Sequence, residues 1–81
     1  MDQGGSARTL VDSRGAACPG PITDLALACR GAKAGDVVEL WATDPAVKPD
    51  LKAWAAKTGN RILSVDDEAD RIVALVTVVS A

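Results

Sequence analysis

Cys18 is the residue of this chain with the clearest capacity for covalent chemistry. It ends a loop that leads into a predicted helix, within the sequence Cys18-Pro19-Gly20-Pro21. Unpaired backbone N–H groups and the positive end of a helix dipole favour a thiolate at such a position. A helix terminus contributes only about 0.3–1 kcal/mol, so the expected fall in thiol pKa is modest. The local pattern alone fits equally a rigid helix entry in which the cysteine is incidental.

The residues after Cys18 predict a sulfur atom held at an exposed corner. Pro19 disfavours the helical conformation of the cysteine before it, and Gly20 leaves the approach to the sulfur open because it has no side chain. If Cys18 is the N-cap, Pro19 and Pro21 occupy N1 and N3 and donate no hydrogen bond. The amides of Gly20 and Ile22 are then the donors that remain for a sulfur anion.

Arg14 and Cys29 are the other candidates for a role in thiol chemistry. Stronger activation of Cys18 requires Arg14, four residues upstream, to fold back near the sulfur. Cys29 lies on the apolar stripe of the predicted helix, which favours a small buried hydrophobe over a reactive thiol. Helical geometry places the two cysteines roughly 16 Å apart, whereas a disulfide needs Cα atoms within about 7 Å. An intramolecular disulfide is therefore not expected.

The composition excludes most other kinds of site. The chain has 81 residues and no histidine, which removes Ser-His-Asp and Cys-His catalysis, histidine metal sites and an imidazole base. Two distant thiols without a CxxC pair do not form a metal site, and we expect neither metal nor organic cofactor. The net charge is −2 and no basic, aromatic-rich stripe is present, which argues against direct nucleic-acid binding.

No segment has the length or polarity of a membrane span or a signal peptide. The longest apolar run, 72–79, is too short to cross a bilayer, and the first six residues lack the basic and apolar regions of a signal peptide. We therefore expect a cytoplasmic protein with no membrane partner. Residues 1–7 are polar and glycine-rich and are interpreted as a flexible tail, which leaves 8–81 as one small domain.

The hydrophobic pattern predicts the element order βαβαββ. Strands are expected at 9–12, 37–42, 61–65 and 71–79, with helices from the Cys18 corner to Arg30 and from about Pro49 to Thr58. Both helices carry apolar residues at i, i+3, i+4 and i+7. Two helices cannot cover both faces of a four-stranded sheet. We therefore expect an α/β (α+β) two-layer sandwich, a mixed sheet with both helices on one face.

Three further features of the sequence concern the last strand, the two tryptophans and the acidic segment before that strand. The last strand is apolar on both sides, which fits a central position in the sheet or a patch used for association. Trp54 is interpreted as a core anchor of the second helix, whereas Trp41 fits either the core or a contact surface. The acidic segment 66–70 is interpreted as a solvated hairpin turn.

An extended pattern surrounds Cys18 and continues along the chain. It begins with Leu10-Val11-Asp12-Ser13-Arg14-Gly15-Ala16-Ala17-Cys18-Pro19-Gly20-Pro21 and continues through Gly35-Asp36-Val37, Thr43-Asp44-Pro45, Asp50-Leu51-x-x-Trp54 and Gly59. This resembles the signature of the TusA family of sulfur-carrier proteins, also called the SirA-like family, whose motif is apolar-Asp-x-Arg-Gly-x-x-Cys-Pro-x-Pro. The resemblance covers about residues 9–79.

The resemblance implies a sulfurtransferase in which Cys18 accepts sulfane sulfur as a persulfide. The persulfide is then relayed from sulfur-donor to sulfur-acceptor proteins, with Arg14, Pro19, Gly20 and Pro21 supporting the sulfur or the partner. Such transfer needs thiolates and an accessible outer sulfur, but no general base or metal, so the missing histidine is no objection. The sequence Cys-Pro-Gly-Pro-Ile-Thr resembles that of family members linked to sulfur-compound oxidation more than that of members serving tRNA thiolation.

Two departures and two alternatives accompany this interpretation. Many members have basic residues just after the motif, where this chain has Thr23-Asp24-Leu25-Ala26, and a histidine where Asn60 stands. Asp24 adds a negative charge near Cys18. The first alternative is a non-catalytic interaction or regulatory module that binds through the last strand or Trp41. The second is a thiol oxidoreductase or peroxide sensor, which the distant Cys29 and the missing CxxC disfavour.

Overall fold

The computed structural model describes residues 8–17 and 19–79, which form four strands and two helices in the predicted order βαβαββ. The elements are β1 (Arg8–Ser13), α1 (Gly20–Arg30), β2 (Val37–Ala42), α2 (Val47–Thr58), β3 (Arg61–Asp67) and β4 (Ile72–Thr77). The predicted bounds of β2 are confirmed. The predicted flexible tail, 1–7, lies outside the described residues.

The first turn of α2 begins two residues earlier than the sequence predicts. A turn at Asp44 leads into the helix: the Asp44 Oδ1 accepts the Ala46 N–H at 3.0 Å, and the Asp44 carbonyl accepts the Val47 N–H at 3.0 Å. Pro49 therefore lies inside the first turn, where a missing N–H costs no intrahelical hydrogen bond. The helix ends as predicted at Gly59, whose φ of +84° is a left-handed conformation that glycine adopts without strain.

The turn between β3 and β4 is shorter than the predicted acidic turn, 66–70. β3 continues through Asp67, so the turn is confined to the residues that follow it, and the Glu68 N–H donates to the Arg71 carbonyl at 2.7 Å. β4 begins at Ile72 and ends at Thr77 rather than at residue 79. The acidic side chains of 66–70 are exposed, as expected for a solvated turn.

The strands form one mixed sheet in the order β1-β2-β4-β3. β1 pairs with β2 in parallel, whereas β4 is antiparallel to both β2 and β3. β4 therefore lies between two other strands. The central position, the first of the two alternatives for the apolar last strand, is confirmed, and the association patch stays open because the helices cover only one face of β4.

Both helices pack on the same face of this sheet, which confirms the two-layer arrangement. Alternate residues of the two central strands are buried beneath them: Val38, Leu40 and Ala42 from β2, and Ile72, Ala74 and Val76 from β4. Leu25 and Cys29 of α1 meet Val47 and Leu51 of α2 in the same core cluster. Trp54 packs against this core while staying partly exposed, so it anchors α2 less deeply than predicted.

Candidate functional site

Cys18, the expected sulfur-carrying residue, lies outside the described residues. Its neighbours in the chain, Ala17 and Pro19, are both described, and both are exposed. They belong to the connection between the end of β1 and the start of α1. The reactivity and accessibility of the Cys18 sulfur stay predictions. The structure describes the residues on either side of it.

The helix begins one residue later than the assignment of Cys18 as N-cap requires. Pro19 is the N-cap residue, Gly20 is the first helical residue and Pro21 the second, so the predicted N1 and N3 positions are wrong by one. The Gly20 N–H donates to the Ala17 carbonyl at 2.9 Å and is therefore already used within the loop. It is not the free donor to a sulfur anion that the sequence suggested.

Gly20 has a packing role that the sequence did not reveal. A Cβ at this position would lie 3.3 Å from the Cβ of Ala16, which is tighter than an ordinary contact between side chains. The absence of a side chain therefore lets the loop close against the first turn of α1. Pro21, the next residue, is buried, so it fixes this turn from the core side.

Arg14 is held by Asp12 rather than pointing freely into solvent. Its Nε donates to Asp12 Oδ1 at 2.9 Å and its Nη2 donates to Asp12 Oδ2 at 2.8 Å. These hydrogen bonds lower the pKa of Asp12 to about 2 and raise that of Arg14. The guanidinium also lies 5.0 Å from the centre of the Trp41 ring. The predicted approach of Arg14 to the sulfur stays a prediction, since Cys18 is outside the described residues.

Trp41 lies on the sheet face opposite the helices, not in the core. Two guanidinium groups lie over its ring. That of Arg71 is 4.2 Å from the ring centre, and that of Arg14 is 5.0 Å from it. The indole Nε1 donates to Glu39 Oε2 at 2.7 Å, and Glu39 Oε1 accepts from Arg8 Nη2 at 2.8 Å. These two hydrogen bonds, the one from Trp41 first, lower the pKa of Glu39. Trp41 is therefore half-buried outside the core, and its use as a contact surface stays a prediction.

Two hydrogen bonds join the end of β1 and the loop that follows it to distant parts of the chain. The hydroxyl of Ser13, a residue only 4% exposed, donates to Asp24 Oδ2 at 2.7 Å and ties the end of β1 to α1. The Gly15 N–H donates to the hydroxyl oxygen of Thr43, just after β2, at 2.8 Å. Sequence reasoning missed Ser13 and Thr43 as positioning residues, although Thr43 belongs to the Thr-Asp-Pro segment it had singled out.

An open groove between the two helices borders Pro19, the residue that follows Cys18. It is lined by Pro19, Ile22, Asp50, Ala53, Trp54 and Lys57. The partly exposed face of Trp54 is one wall of this groove, which explains why this residue is less buried than a core anchor. The groove presents the apolar surfaces of Ile22 and Trp54 next to Pro19.

Cys29 is buried in the core, as predicted. Its side chain belongs to the cluster of buried hydrophobic residues and is 5% exposed. Burial raises the pKa of its thiol, because the charged thiolate is poorly solvated there. Over 8–17 and 19–79, no group of three or more metal-ligating side chains is found, and none of the helices there could span a membrane.

Comparison with known proteins identifies the family of this chain. The profile described as "Sulfurtransferase TusA" matches residues 9–78, so the chain belongs to the TusA family of sulfur carriers. The relative named "Putative sulfur carrier protein YrkF" from Bacillus subtilis is 39% identical over 64 residues, covering 79% of this chain and 35% of that protein. The chain thus spans about a third of the length of this curated relative.

Two further relatives carry the same description without a gene name. The protein from Archaeoglobus fulgidus is 33% identical over 61 residues, covering 75% of this chain and 84% of its own. The protein from Aquifex aeolicus is 33% identical over 69 residues, covering 85% of this chain and 34% of its own. The resemblance found in the Cys-Pro-x-Pro sequence is therefore confirmed at the level of the family.

The hydrogen bonds between Arg14 and Asp12 predict an unusually acidic carboxyl group. Asp12 is expected to titrate near pH 2 in the native chain and to move towards its ordinary value of 3.8 in Arg14→Ala. Because the native pKa is depressed, the stabilisation from this pair is present above the unfolded pKa and fades as the pH falls towards 2. NMR titration of the side-chain carboxyl carbons measures both values.

Arg71→Ala is the matched control for this measurement. Arg71 is bonded to Asp70, and among the groups that lower the pKa of Asp12 it contributes last. The Asp12 titration is therefore expected to change much less than in Arg14→Ala. A native Asp12 that titrates at its ordinary value would contradict the paired arrangement.

Proposed function

We propose that this chain carries sulfane sulfur as a persulfide on Cys18 and passes it to a partner protein, without metal or organic cofactor. The observation that carries the proposal is the family match over residues 9–78, which includes the complete Cys-Pro-x-Pro motif at the β1–α1 junction. In this role the chain is a sulfurtransferase whose substrates are the thiol groups of other proteins.

The transfer needs only two displacement steps at sulfur. In the first, the Cys18 thiolate attacks the outer sulfur of a donor persulfide, the donor's S–S bond breaks, and the donor leaves as a thiolate. In the second, an acceptor thiolate attacks the outer sulfur on Cys18 and releases the Cys18 thiolate. Both steps conserve oxidation state overall, because the same sulfane sulfur passes from one thiolate to the next.

The frame around Cys18 supports this role. The loop is joined to α1 through Ser13 and Asp24 and to the end of β2 through Gly15 and Thr43. A loop held at both sides supports the role, because it reduces the entropy lost when a partner thiol must align with a residue of that loop. The start of α1 at Gly20 places the positive end of the helix dipole close to the residues that flank Cys18.

The groove beside Pro19 supports contact with donor and acceptor proteins. It combines the apolar surfaces of Ile22 and Trp54 with the charged side chains of Asp50 and Lys57. An apolar centre with a polar rim is the usual composition of a transient protein interface. Partners that bind there reach the residue next to Cys18 in the chain.

We place this relay in the cytoplasm and in the oxidation of sulfur compounds, a pathway supported by the Cys-Pro-Gly-Pro-Ile-Thr wording. A reducing compartment suits a carrier thiol that must return to the free state. Deletion of the gene is expected to slow oxidation of reduced sulfur compounds while tRNA thiolation stays normal. Measuring both in the deletion strain and in a complemented strain distinguishes the two pathways.

Incubation with a sulfane-sulfur donor is expected to add the mass of one sulfur atom to the chain. Intact-protein mass spectrometry detects the addition, peptide mapping assigns it to Cys18, and a reductant removes it. Cys18→Ser is expected to abolish the addition. Cys29→Ala is the matched control, because this buried thiol with a raised pKa takes no part in the transfer. Uptake of sulfur by Cys18→Ser would contradict the site assignment.

Arg14 and Asp12 are expected to change the reactivity of the Cys18 thiol in opposite directions. Arg14→Ala removes a positive charge, whereas Asp12→Asn leaves the guanidinium without its anionic partner. Alkylation of Cys18 below its pKa is therefore expected to slow in the first variant and to accelerate in the second, each by about twofold to fivefold. Rates measured across pH in the Cys29→Ala background check this. Equal rates in all three proteins would remove Arg14 from the mechanism.

A further inference from the structure

The sheet face opposite the helices carries an apolar surface that the proposed sulfur transfer does not use. Residues that pair across neighbouring strands share a face, so the register places these side chains together. We call this surface the open face and define it by Leu10, Val37, Trp41, Val73 and Leu75. Leu10 is 51% exposed, which is unusual for a leucine in a sheet.

Charged residues form two rows across the strands at opposite ends of the open face. Arg8 and Arg61 occupy the outer strands in the row that contains Val37. Asp12 and Asp66 occupy the outer strands in the row that contains Trp41. One end of the face is therefore cationic at both edges, and the other end is anionic at both edges.

Most of the charges on the open face are neutralised within the chain. The ion pairs are Arg8–Glu39, Arg14–Asp12 and Arg71–Asp70. Within the described part of the chain, Arg61 and Asp66 form no ion pair. Both belong to the edge strand β3 and point to the open face, since they pair with Thr77 and Val73 of β4. Among the described charged strand residues of the open face, those without an ion pair are thus one cation and one anion at opposite ends of β3, and Glu68, in the turn after β3, adds a further anion at the Asp66 end.

We propose that the open face binds a second copy of this chain around a two-fold axis that runs across the strands. This axis lays each strand over its own counterpart in the opposite direction, so Arg61 of one copy faces Asp66 of the other, twice per dimer. A two-fold axis along the strands would instead lay β3 over β1, with Arg61 against Arg8 and Asp66 against Asp12. That arrangement gives Arg61 and Asp66 no partner of opposite charge, whereas the first axis pairs them with each other, so the charge pattern favours the first axis.

The apolar residues match under the same symmetry. The register of β2 places Trp41 of one copy over Val37 of the other, while Leu10 and Leu75 each meet their own counterparts. Glu39 also meets its counterpart. Its two carboxylate oxygens, however, already accept from Trp41 and Arg8, so the pair on the axis is not two bare anions. The face is therefore complementary to itself in both polarity and charge.

The size of the open face predicts a weak dimer. Four strands about 4.8 Å apart, each of about six residues, give a surface of about 20 Å by 20 Å per copy. Two such surfaces bury less than the roughly 1,200 Å² at which stable interfaces begin. Self-association is therefore expected to depend on concentration, with dimer forming between about 10 µM and about 1 mM.

Sedimentation equilibrium over that concentration range, with reductant present to exclude disulfides, tests the proposal. Arg61→Glu and Asp66→Arg are each expected to weaken dimerisation about tenfold, because each turns both intermolecular ion pairs into repulsions. An equimolar mixture of the two variants is expected to dimerise as tightly as the unmodified chain. In the mixed dimer, both contacts between positions 61 and 66 again join opposite charges.

Lys52→Glu is the matched control, since it reverses an exposed charge on the helix side and is expected to leave dimerisation unchanged. The same series in the Cys18→Ser background separates self-association from sulfur transfer. A chain that stays monomeric throughout the range overturns the proposal. So does a dimer whose affinity is unchanged by both substitutions, or a mixture that fails to regain the affinity of the unmodified chain.

Discussion

The parallel pairing of β1 with β2 is the constraint on which the rest of the structure depends. Two consecutive parallel strands cannot be joined by a hairpin, so the chain must leave the end of β1 and return across one face of the sheet. The helix that makes this crossing, α1, starts where the chain turns away from β1. A corner is therefore unavoidable at the β1–α1 junction, and the Cys-Pro-x-Pro sequence occupies it.

The contacts of that corner all reach back to the strand ends. The hydroxyl of Ser13, at the end of β1, donates to Asp24 of α1. The hydroxyl oxygen of Thr43, just after β2, accepts the Gly15 N–H. Arg14 is fixed from the opposite side of the sheet, through Asp12 and the ring of Trp41. The loop is thus attached to both faces of the sheet. The carboxylate of Asp24 serves here as the hydrogen-bond acceptor for the buried Ser13 hydroxyl.

The sequence predicted the features that depend on local pattern. Helical periodicity identified both helices and the buried position of Cys29, and the two-sided apolarity of the last strand agreed with its central place. The contacts between Gly15 and Thr43, or between Ser13 and Asp24, join residues that only the folded sheet brings together. The start of α1 was misplaced by one residue because two prolines separated by a single glycine satisfy more than one register of the first turn.

A carrier of this kind separates chemistry from recognition. One thiol is enough for transfer, because the attacking and leaving groups are both sulfur atoms and the partner supplies the second one. The rest of a small domain is then free to form contact surfaces, and the two faces of this sheet offer different ones. The helix side provides the groove that borders Pro19, whereas the open face, which includes Trp41, lies on the opposite side of the sheet. Contacts made on the open face therefore leave the groove accessible to a sulfur-transfer partner.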